Sequence, residues 1–168
     1  MNSRSVARND GHQKSIGTIT VGGVLSISDS SYYFENPIKV ALVPGVYEVI
    51  IYSEGSADAP IVRKLCVVQP EAAWHCGRVL GELLIDFAQI ALADRESCDR
   101  ALDTIPDDEM GVYYDQLNVV GPAALIDIGG ASICVVRVPN DGDNIVRELL
   151  NEMGDRVGAE IDFGQMED

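Results

Sequence analysis

Ile85-Asp86-Phe87-Ala88 is the first of three similar tetrapeptides in this chain, and the others are Ile126-Asp127-Ile128-Gly129 and Ile161-Asp162-Phe163-Gly164. Each has an aspartate between two large apolar residues and ends with Ala or Gly. A buried residue, a carboxylate that bonds the backbone of a turn, and a small residue suit a strand that enters a tight hairpin. The repeated tetrapeptide therefore predicts a β-rich domain built of similar hairpins.

Alternating apolar residues extend this prediction along the chain. Two segments, 16–28 with a break at Gly22-Gly23 and 83–93, are interpreted as hairpins, and Gly129-Gly130 as a tight turn. Pro44-Gly45 suits a type II turn between two strands. Besides the two hairpins, the predicted strands are 38–42, 46–52, 61–68, 112–120, 123–128, 131–138 and 160–163.

The two predicted hairpins also resemble each other, which suggests an internal duplication of 17–30 and 81–95. One residue has to be inserted at the second turn to align them. The matched positions are Gly17 with Gly81, Ile19 with Leu83, Val21 with Ile85, Leu25 with Ile90, Ile27 with Leu92 and Asp29 with Asp94. Chance similarity of a few apolar residues is the alternative explanation.

Two helices are predicted. Asp94 can cap the first, from Arg95 to about Thr104, and Pro106 ends it. Asp143 or Asn144 can cap the second, which runs to Met153. The predicted fold class is α+β: mainly antiparallel sheet, arranged as a sandwich or half-barrel, with two short helices.

The 168 residues suit one domain. Residues 1–15 contain basic residues but no apolar stretch, so they are predicted to form a disordered arm before a single domain at 16–168. The four cysteines (Cys66, Cys76, Cys98 and Cys134) have no C-x-x-C spacing. With no export signal recognised, a reduced, cytoplasmic state is expected.

The net charge of −15 arises entirely after residue 70. Residues 1–70 hold six acids and six bases, whereas residues 71–168 hold 21 acids and six bases. Such a charge disfavours nucleic acid and anionic membranes as partners and favours a basic protein or a cation. The alternative is that the charge only keeps the protein soluble. No apolar run approaches the roughly 20 residues that cross a bilayer.

No sequence motif for a nucleophile, a phosphate-binding loop or a zinc protease is present, so no catalytic residue and no organic cofactor are predicted. Asp86, Asp127 and Asp162 are the metal candidates, because their tetrapeptides are similar. They could converge on calcium or magnesium. Alternatively, each bonds the backbone of its own turn.

Partner-binding candidates lie after the first predicted helix. Tyr113 and Tyr114 are adjacent on a predicted strand, so one of them has to face outward. Asp107, Asp108 and Glu109 form an acidic loop nearby. An exposed tyrosine beside carboxylates can anchor a protein partner, and a lone surface aromatic is the alternative.

Val43-Pro44-Gly45-Val46-Tyr47-Glu48-Val49 resembles the P-G-x-Y-x-V strand of small bacterial β-rich domains of unknown function. Those families also carry a later G-x-x-x-(I/V)-D hairpin, which Gly81 to Asp86 matches here. The same strand is similar to one in an acidic nuclease-inhibitor family of bacterial competence. The resemblance covers about a third of the chain and implies a bacterial β-rich module with inhibitor-like binding and no catalytic residue.

Together these observations predict a non-enzymatic acidic module that binds proteins, of the immunity or inhibitor type, and neutralises a basic partner. The alternative is a metal-binding protein or hydrolase that uses the three aspartates. The oligomeric state is not predicted.

Overall fold

The computed structural model describes residues 12–30, 36–56, 58–86, 88–109, 115, 121–139 and 142–164. These residues contain eleven strands, one α-helix and a short 3-10 turn at Asp107–Glu109. The elements are β1 His12–Val21, β2 Val24–Asp29, β3 Ile38–Ala41, β4 Gly45–Glu54, β5 Ile61–Val68, β6 His75–Ile85, β7 Gln89–Asp94, α1 Arg95–Asp103, β8 Ala123–Ile128, β9 Ala131–Arg137, β10 Gly142–Leu150 and β11 Arg156–Asp162. Strand β1 therefore begins inside the predicted arm, of which residues 1–11 lie outside the described part.

The strands form two antiparallel sheets, which confirms the prediction of a mainly antiparallel β fold. The first sheet has the order β1-β4-β5-β11-β10-β6, and the second has the order β3-β2-β7-β9-β8. One buried apolar cluster takes side chains from both sheets, among them Ile19 and Ile51 from the first and Leu25 and Leu92 from the second. The two sheets therefore share a core, while the sandwich or half-barrel stays a prediction.

The interpretation of 16–28 and 83–93 as hairpins is wrong, because in both cases the two strands belong to different sheets. The chain leaves β1 in the first sheet and enters β2 in the second at Gly22-Gly23, here called the first corner. It leaves β6 and enters β7 in the same way at residues 86–88, the second corner. Pro44-Gly45 also connects strands of different sheets, whereas the tight turn at Gly129-Gly130 joins the paired strands β8 and β9 as predicted.

Helix α1 confirms the first predicted helix. The Asp94 carboxylate accepts a hydrogen bond from the Ser97 N–H at 3.0 Å, which satisfies one of the free donors of the first turn. Cys98 is buried in a cluster with Ile105 and with apolar residues of β7, β8 and β9. The helix therefore covers the face of the second sheet that is turned away from the shared core.

The second predicted helix, from Asp143 or Asn144 to Met153, is wrong: this segment forms β10 and a turn. Register shifts interrupt the pairing of β10 with β6 on both sides of Arg147. These irregularities break the two-residue alternation of a strand, so that Glu148 and Leu149 are both buried. The resulting pattern imitates the apolar spacing of a helix, and Met153, the last residue of the predicted helix, is 85% exposed.

The strand pairings of the first half of the chain recur in the second half. Pairs β1–β4, β4–β5 and β2–β3 have the same arrangement as β6–β10, β10–β11 and β7–β9. Two further pairs, β2–β7 and β5–β11, join the halves. Counterpart residues of the two halves can therefore be read from the registers.

Candidate functional site

An acidic cleft lies at the second corner. Its volume is about 360 Å³, and three of its lining side chains, Asp29, Glu82 and Asp86, are carboxylates. The other lining residues are Ser28, Asn36, Leu83 and Leu84. Because the carboxylates share a small space, the cleft favours a cationic group over a neutral or anionic one.

Hydrogen bonds between the end of β2 and the second corner hold one side of the cleft in place. Asp29 is the last residue of β2 and only 2% exposed, and its Oδ2 accepts the Asp86 N–H at 2.6 Å. The Gln89 side chain also donates to the Ser30 hydroxyl at 2.9 Å. These bonds hold the end of β6 and the start of β7 to the end of β2, so the carboxylates are positioned by two sheets and not by a free loop.

Beside the cleft, the outer side of the first sheet carries a surface that we call the acidic face: Glu82, Leu84, Asp143, Ile145 and Asp162. Ile145 is the register partner of both Glu82 and Asp162, and Leu84 is opposite Asp143. Directly opposed residues of antiparallel strands place their side chains on the same side of the sheet. The face therefore combines three exposed carboxylates with two apolar side chains, Leu84 (57% exposed) and Ile145 (37% exposed).

The first half of the chain provides a counterpart of this face with a different charge. The same pairings there connect Thr18 with Glu48 and Glu48 with Val68, and they connect Thr20 with Val46. These five positions hold one carboxylate where the acidic face holds three. The counterpart of Asp86 at the first corner is Gly22. The acidic face is thus a property of the second half alone.

A buried carboxylate, Glu160, lies next to the acidic face on the same side of the sheet. Its Oε2 is 3.6 Å from Lys64 Nζ, and its Oε1 accepts from the Cys76 thiol at 2.9 Å. The Lys64 ammonium also lies over the rings of Tyr52 and Trp74, at 5.5 and 5.8 Å from their centroids. The charge of this lysine is therefore matched within its own cluster.

The cysteines are poor candidates for a nucleophile. Burial, followed by the hydrogen bond with Glu160, raises the pKa of the Cys76 thiol to about 11, although Cys76 is the exposed one of the four. Burial raises the pKa of Cys98 and of Cys134 to about 12, and that of Cys66 well above its ordinary value. Thiols with such pKa values are protonated at neutral pH and do not attack an electrophile.

The three aspartates proposed as metal ligands are distributed over both sheets. Asp86 lines the cleft and Asp162 belongs to the acidic face, but Asp127 lies on β8 of the second sheet. Asp127 accepts the Gly130 N–H at 3.1 Å, and Asp162 accepts the Gly164 N–H at 2.8 Å. Within the described ranges, no three His, Cys, Asp or Glu side chains are placed to hold a metal ion such as calcium or magnesium.

The predicted partner-binding residues are not among those that line the cleft. Tyr113 and Tyr114 fall outside the described residues. The backbone of Asp107 belongs to the 3-10 turn, in which the side chains of Asp108 and Glu109 are exposed. The sequence did not identify Asp29, Glu82 or Asp143, the other carboxylates of the cleft and of the acidic face. The tetrapeptide that contains Asp86 and the match of Asp29 with Asp94 were the signals that pointed to this corner.

Comparison of the chain with protein-family models, curated proteins and solved structures finds no match. The resemblance to bacterial β-rich families and to competence nuclease inhibitors therefore stays a prediction. The described part of the chain contains no helix that combines the length and the apolar composition needed to cross a membrane.

Proposed function

We propose that this chain is a non-enzymatic binding protein, of the immunity or inhibitor type, that takes a basic protein on the acidic face and in the neighbouring cleft. The observation that carries the proposal is the combination of three exposed carboxylates with exposed Leu84 and Ile145 on one rigid sheet. Carboxylates steer a cationic partner to the surface, and apolar side chains contribute contact area once it has arrived.

The cleft gives this binding a preferred side chain. A lysine or arginine of the partner that enters it meets the exposed Glu82 and Asp86 beside the buried Asp29, and arginine gains most because it bonds two carboxylate oxygens at once. The negative charge of residues 71–168 extends the attraction beyond the contact area, since long-range steering depends on the summed charge. Binding should therefore be fast and should weaken as salt increases.

The proposal includes a bacterial, cytoplasmic setting and a sandwich arrangement of the two sheets. All four cysteines are free, in keeping with a reducing compartment. The buried cluster that takes side chains from both sheets supports the sandwich.

Charge reversal on the acidic face tests the proposal. We expect the double variant Glu82→Lys with Asp143→Lys to bind a fluorescent arginine- and lysine-rich peptide at least about tenfold more weakly than the wild type, because it replaces two attractive charges by repulsive ones. Both residues are exposed, so the midpoint of thermal unfolding should change little. Fluorescence anisotropy at low and at high salt measures the affinity.

The counterpart positions supply the matched control. Thr18→Lys, Val46→Lys and Glu48→Lys together raise the net charge by the same four units as the acidic-face variant, at the equivalent places of the first half, where no acidic face exists. This control should bind the peptide much better than the acidic-face variant does. An equal loss of peptide affinity in both variants would mean that only net charge matters. Absence of peptide binding to the wild type at low salt would contradict the proposal.

A further inference from the structure

Strand β6 forms an edge of the first sheet, directly beside the acidic face. It pairs with β10 on one side, and no described strand pairs with its other side. From Gly81 to Ile85 its register with Gly142–Val146 is continuous, whereas shifts interrupt the pairing before Gly81. The last five residues of β6 therefore present a regular row of backbone donors and acceptors to a further strand.

This part of the edge has little protection against pairing. Edge strands are commonly protected by lysine, by proline or by a bulge. Residues 81–85 contain neither lysine nor proline, and the irregular pairing lies before them. Leu84, in the middle of the segment, is 57% exposed. An extended peptide therefore finds at this edge both backbone groups and an apolar contact.

We propose that the basic partner docks as an extended segment that adds a strand to the edge of β6 at residues 81–85; this inference rests on the proposed function. An added strand lies about 4.8 Å from its neighbour and places every second side chain on the same side as the acidic face. Lysine or arginine at such positions approaches Glu82 and the cleft, and an apolar residue contacts Leu84. On that side, the partner segment thus carries a basic residue and an apolar residue two positions apart.

The edge formed by β1 is the natural comparison, since β1 is the counterpart of β6 at the opposite end of the same sheet. Its residues Gly17–Val21 pair with Gly45–Val49 without interruption, as the last residues of β6 do with β10. The outward side chains there are Thr18 and Thr20, which are uncharged. Charge complementarity therefore assigns the docking strand to β6 and not to β1.

Two peptides of identical sequence test this inference, one of them methylated at every backbone amide. Both carry the same charges, but the methylated peptide cannot form the hydrogen bonds of a strand. We expect the methylated peptide to bind the wild-type chain at least about tenfold more weakly. In addition, amide hydrogens of residues 81–85 should exchange more slowly when the unmodified peptide is bound, whereas those of residues 17–21 should be unaffected.

The outcomes separate the inference from the function on which it rests. If the two peptides bind equally well and residues 81–85 gain no protection, the partner does not add a strand, although the acidic face remains a binding surface. If neither peptide binds at low salt, the proposed function itself is wrong. Stronger binding of the unmodified peptide, together with slower exchange confined to β6, supports both.

A second inference comes from hydrogen bonds at the two corners, which are reciprocal. The Asp94 carboxylate, in the second half, accepts the Gly22 N–H of the first corner at 2.8 Å. The Asp29 carboxylate, in the first half, accepts the Asp86 N–H of the second corner at 2.6 Å. Asp29 and Asp94 are counterparts, because each is the last residue of its strand and the β2–β7 register pairs Leu25 with Asp94 and Asp29 with Ile90.

Other features match in the same registers. The shift between Ser15 and Gly17 in β1–β4 recurs between Val79 and Gly81 in β6–β10. The backbone bonds form two further reciprocal sets: Leu42 N–H to Gly23 O with Val138 N–H to Ala88 O, and Gln69 N–H to Val157 O with Phe163 N–H to Arg63 O, all at 2.9 Å. Chance similarity of two unrelated segments does not explain why a bulge, two side-chain hydrogen bonds and two pairs of backbone hydrogen bonds recur at equivalent positions.

We infer that the chain consists of two copies of one five-stranded unit, β1 to β5 and β6 to β11, with α1 and β8 as additions to the second copy. Exchange of β2 and β7 within the full chain tests this. In this variant, residues 89–94 stand at positions 24–29, and residues 24–29 stand at positions 89–94. If the strands are equivalent, the core positions of Leu25, Ile27, Ile90 and Leu92 all remain apolar. Because the exchange also buries two serine hydroxyls at positions 91 and 93, the exchanged chain should keep a cooperative melting transition with a lowered midpoint.

The control is the same exchange shifted by one residue, with residues 88–92 at 24–28 and residues 23–27 at 89–93, so that Asp29 and Asp94 are retained. It has nearly the same composition but turns polar side chains into the core, so it should lose the cooperative melting transition. Circular dichroism follows both chains. An in-phase exchange that is no more stable than the shifted one would overturn the equivalence of the two strands.

Discussion

Replacement of Gly158 by alanine is expected to destabilise the protein by about 3 kcal/mol, the upper end of the cost of overpacking. Gly158 lies on β11, where the pairing with β5 joins the two halves of the chain. A Cβ atom there would collide with the carbonyl oxygen of Val67 and lie 2.8 Å from Cα of Val68. Both obstacles are backbone atoms, so no side-chain rotation relieves the contact, and the two central strands have to separate.

Urea unfolding measures this effect, and Gly22→Ala is the matched control. Gly22 lies at the first corner, where the nearest heavy atom to an added Cβ is Asp94 Oδ1 at 3.5 Å, an ordinary contact. The backbone N–H that Asp94 accepts is retained in alanine, so we expect a change below about 1 kcal/mol. Equal stability of the Gly158 variant and the wild type would show that β5 and β11 are not packed as closely as described.

The sequence predicted the strands better than their partners. The segment 61–68 was predicted and observed as β5, and the helix after Asp94 was predicted because a capping side chain begins it and Pro106 follows it. Gly22-Gly23 was interpreted as a hairpin turn because glycines have the same local role in a corner between sheets as in a hairpin. What decides between them is the pairing of β1 with β4, which brings together residues about 30 positions apart.

Local spacing also explains the error at β10. Ile145, Val146, Leu149 and Leu150 have the spacing of an amphipathic helix, and the bulges that shift the strand are set by its neighbours β6 and β11. A bulge is a tertiary feature, so the sequence of the segment alone carries no signal for it.

The acidic face could not be predicted for a related reason. Glu82, Asp143 and Asp162 are far apart in the chain, and only the pairings of β6 with β10 and of β10 with β11 bring them to one side of a sheet. The sequence did reveal that the charge lies after residue 70, and that the segments at the two corners are alike. The charge distribution was therefore readable in advance, while the surface that it forms was not.

Loss of Arg156 is expected to destabilise the protein by about 3 kcal/mol at neutral pH, because it leaves a nearly buried carboxylate without its main cation. Arg156 donates from Nε (3.0 Å) and Nη2 (2.8 Å) to Oε2 of Glu148. Its Nη1 also donates to the Ala41 carbonyl at 3.1 Å, which ties the first sheet to β3 of the second. In Arg156→Met, Glu148 keeps only its contacts with Arg78, whose side chain is 75% exposed.

The pH dependence distinguishes this ion pair from simple packing. The hydrogen bonds from Arg156 outweigh the opposing effect of burial and hold the pKa of Glu148 below its ordinary value. A carboxyl group with a lowered pKa contributes stability above its ordinary pKa, of about 4.3, and loses it as the pH falls through the folded value. In Arg156→Met the carboxylate, left with Arg78 alone, is relieved by protonation, so the difference from the wild type should shrink in acid. Urea unfolding at neutral pH and near pH 4 measures both differences, with Glu148→Leu plus Arg156→Met as the control.

That double variant buries no unpaired charge, so it should be more stable than Arg156→Met at neutral pH and should not share its pH dependence. A difference between Arg156→Met and the wild type that stays constant with pH would mean that the guanidinium acts only through packing and its bond to Ala41.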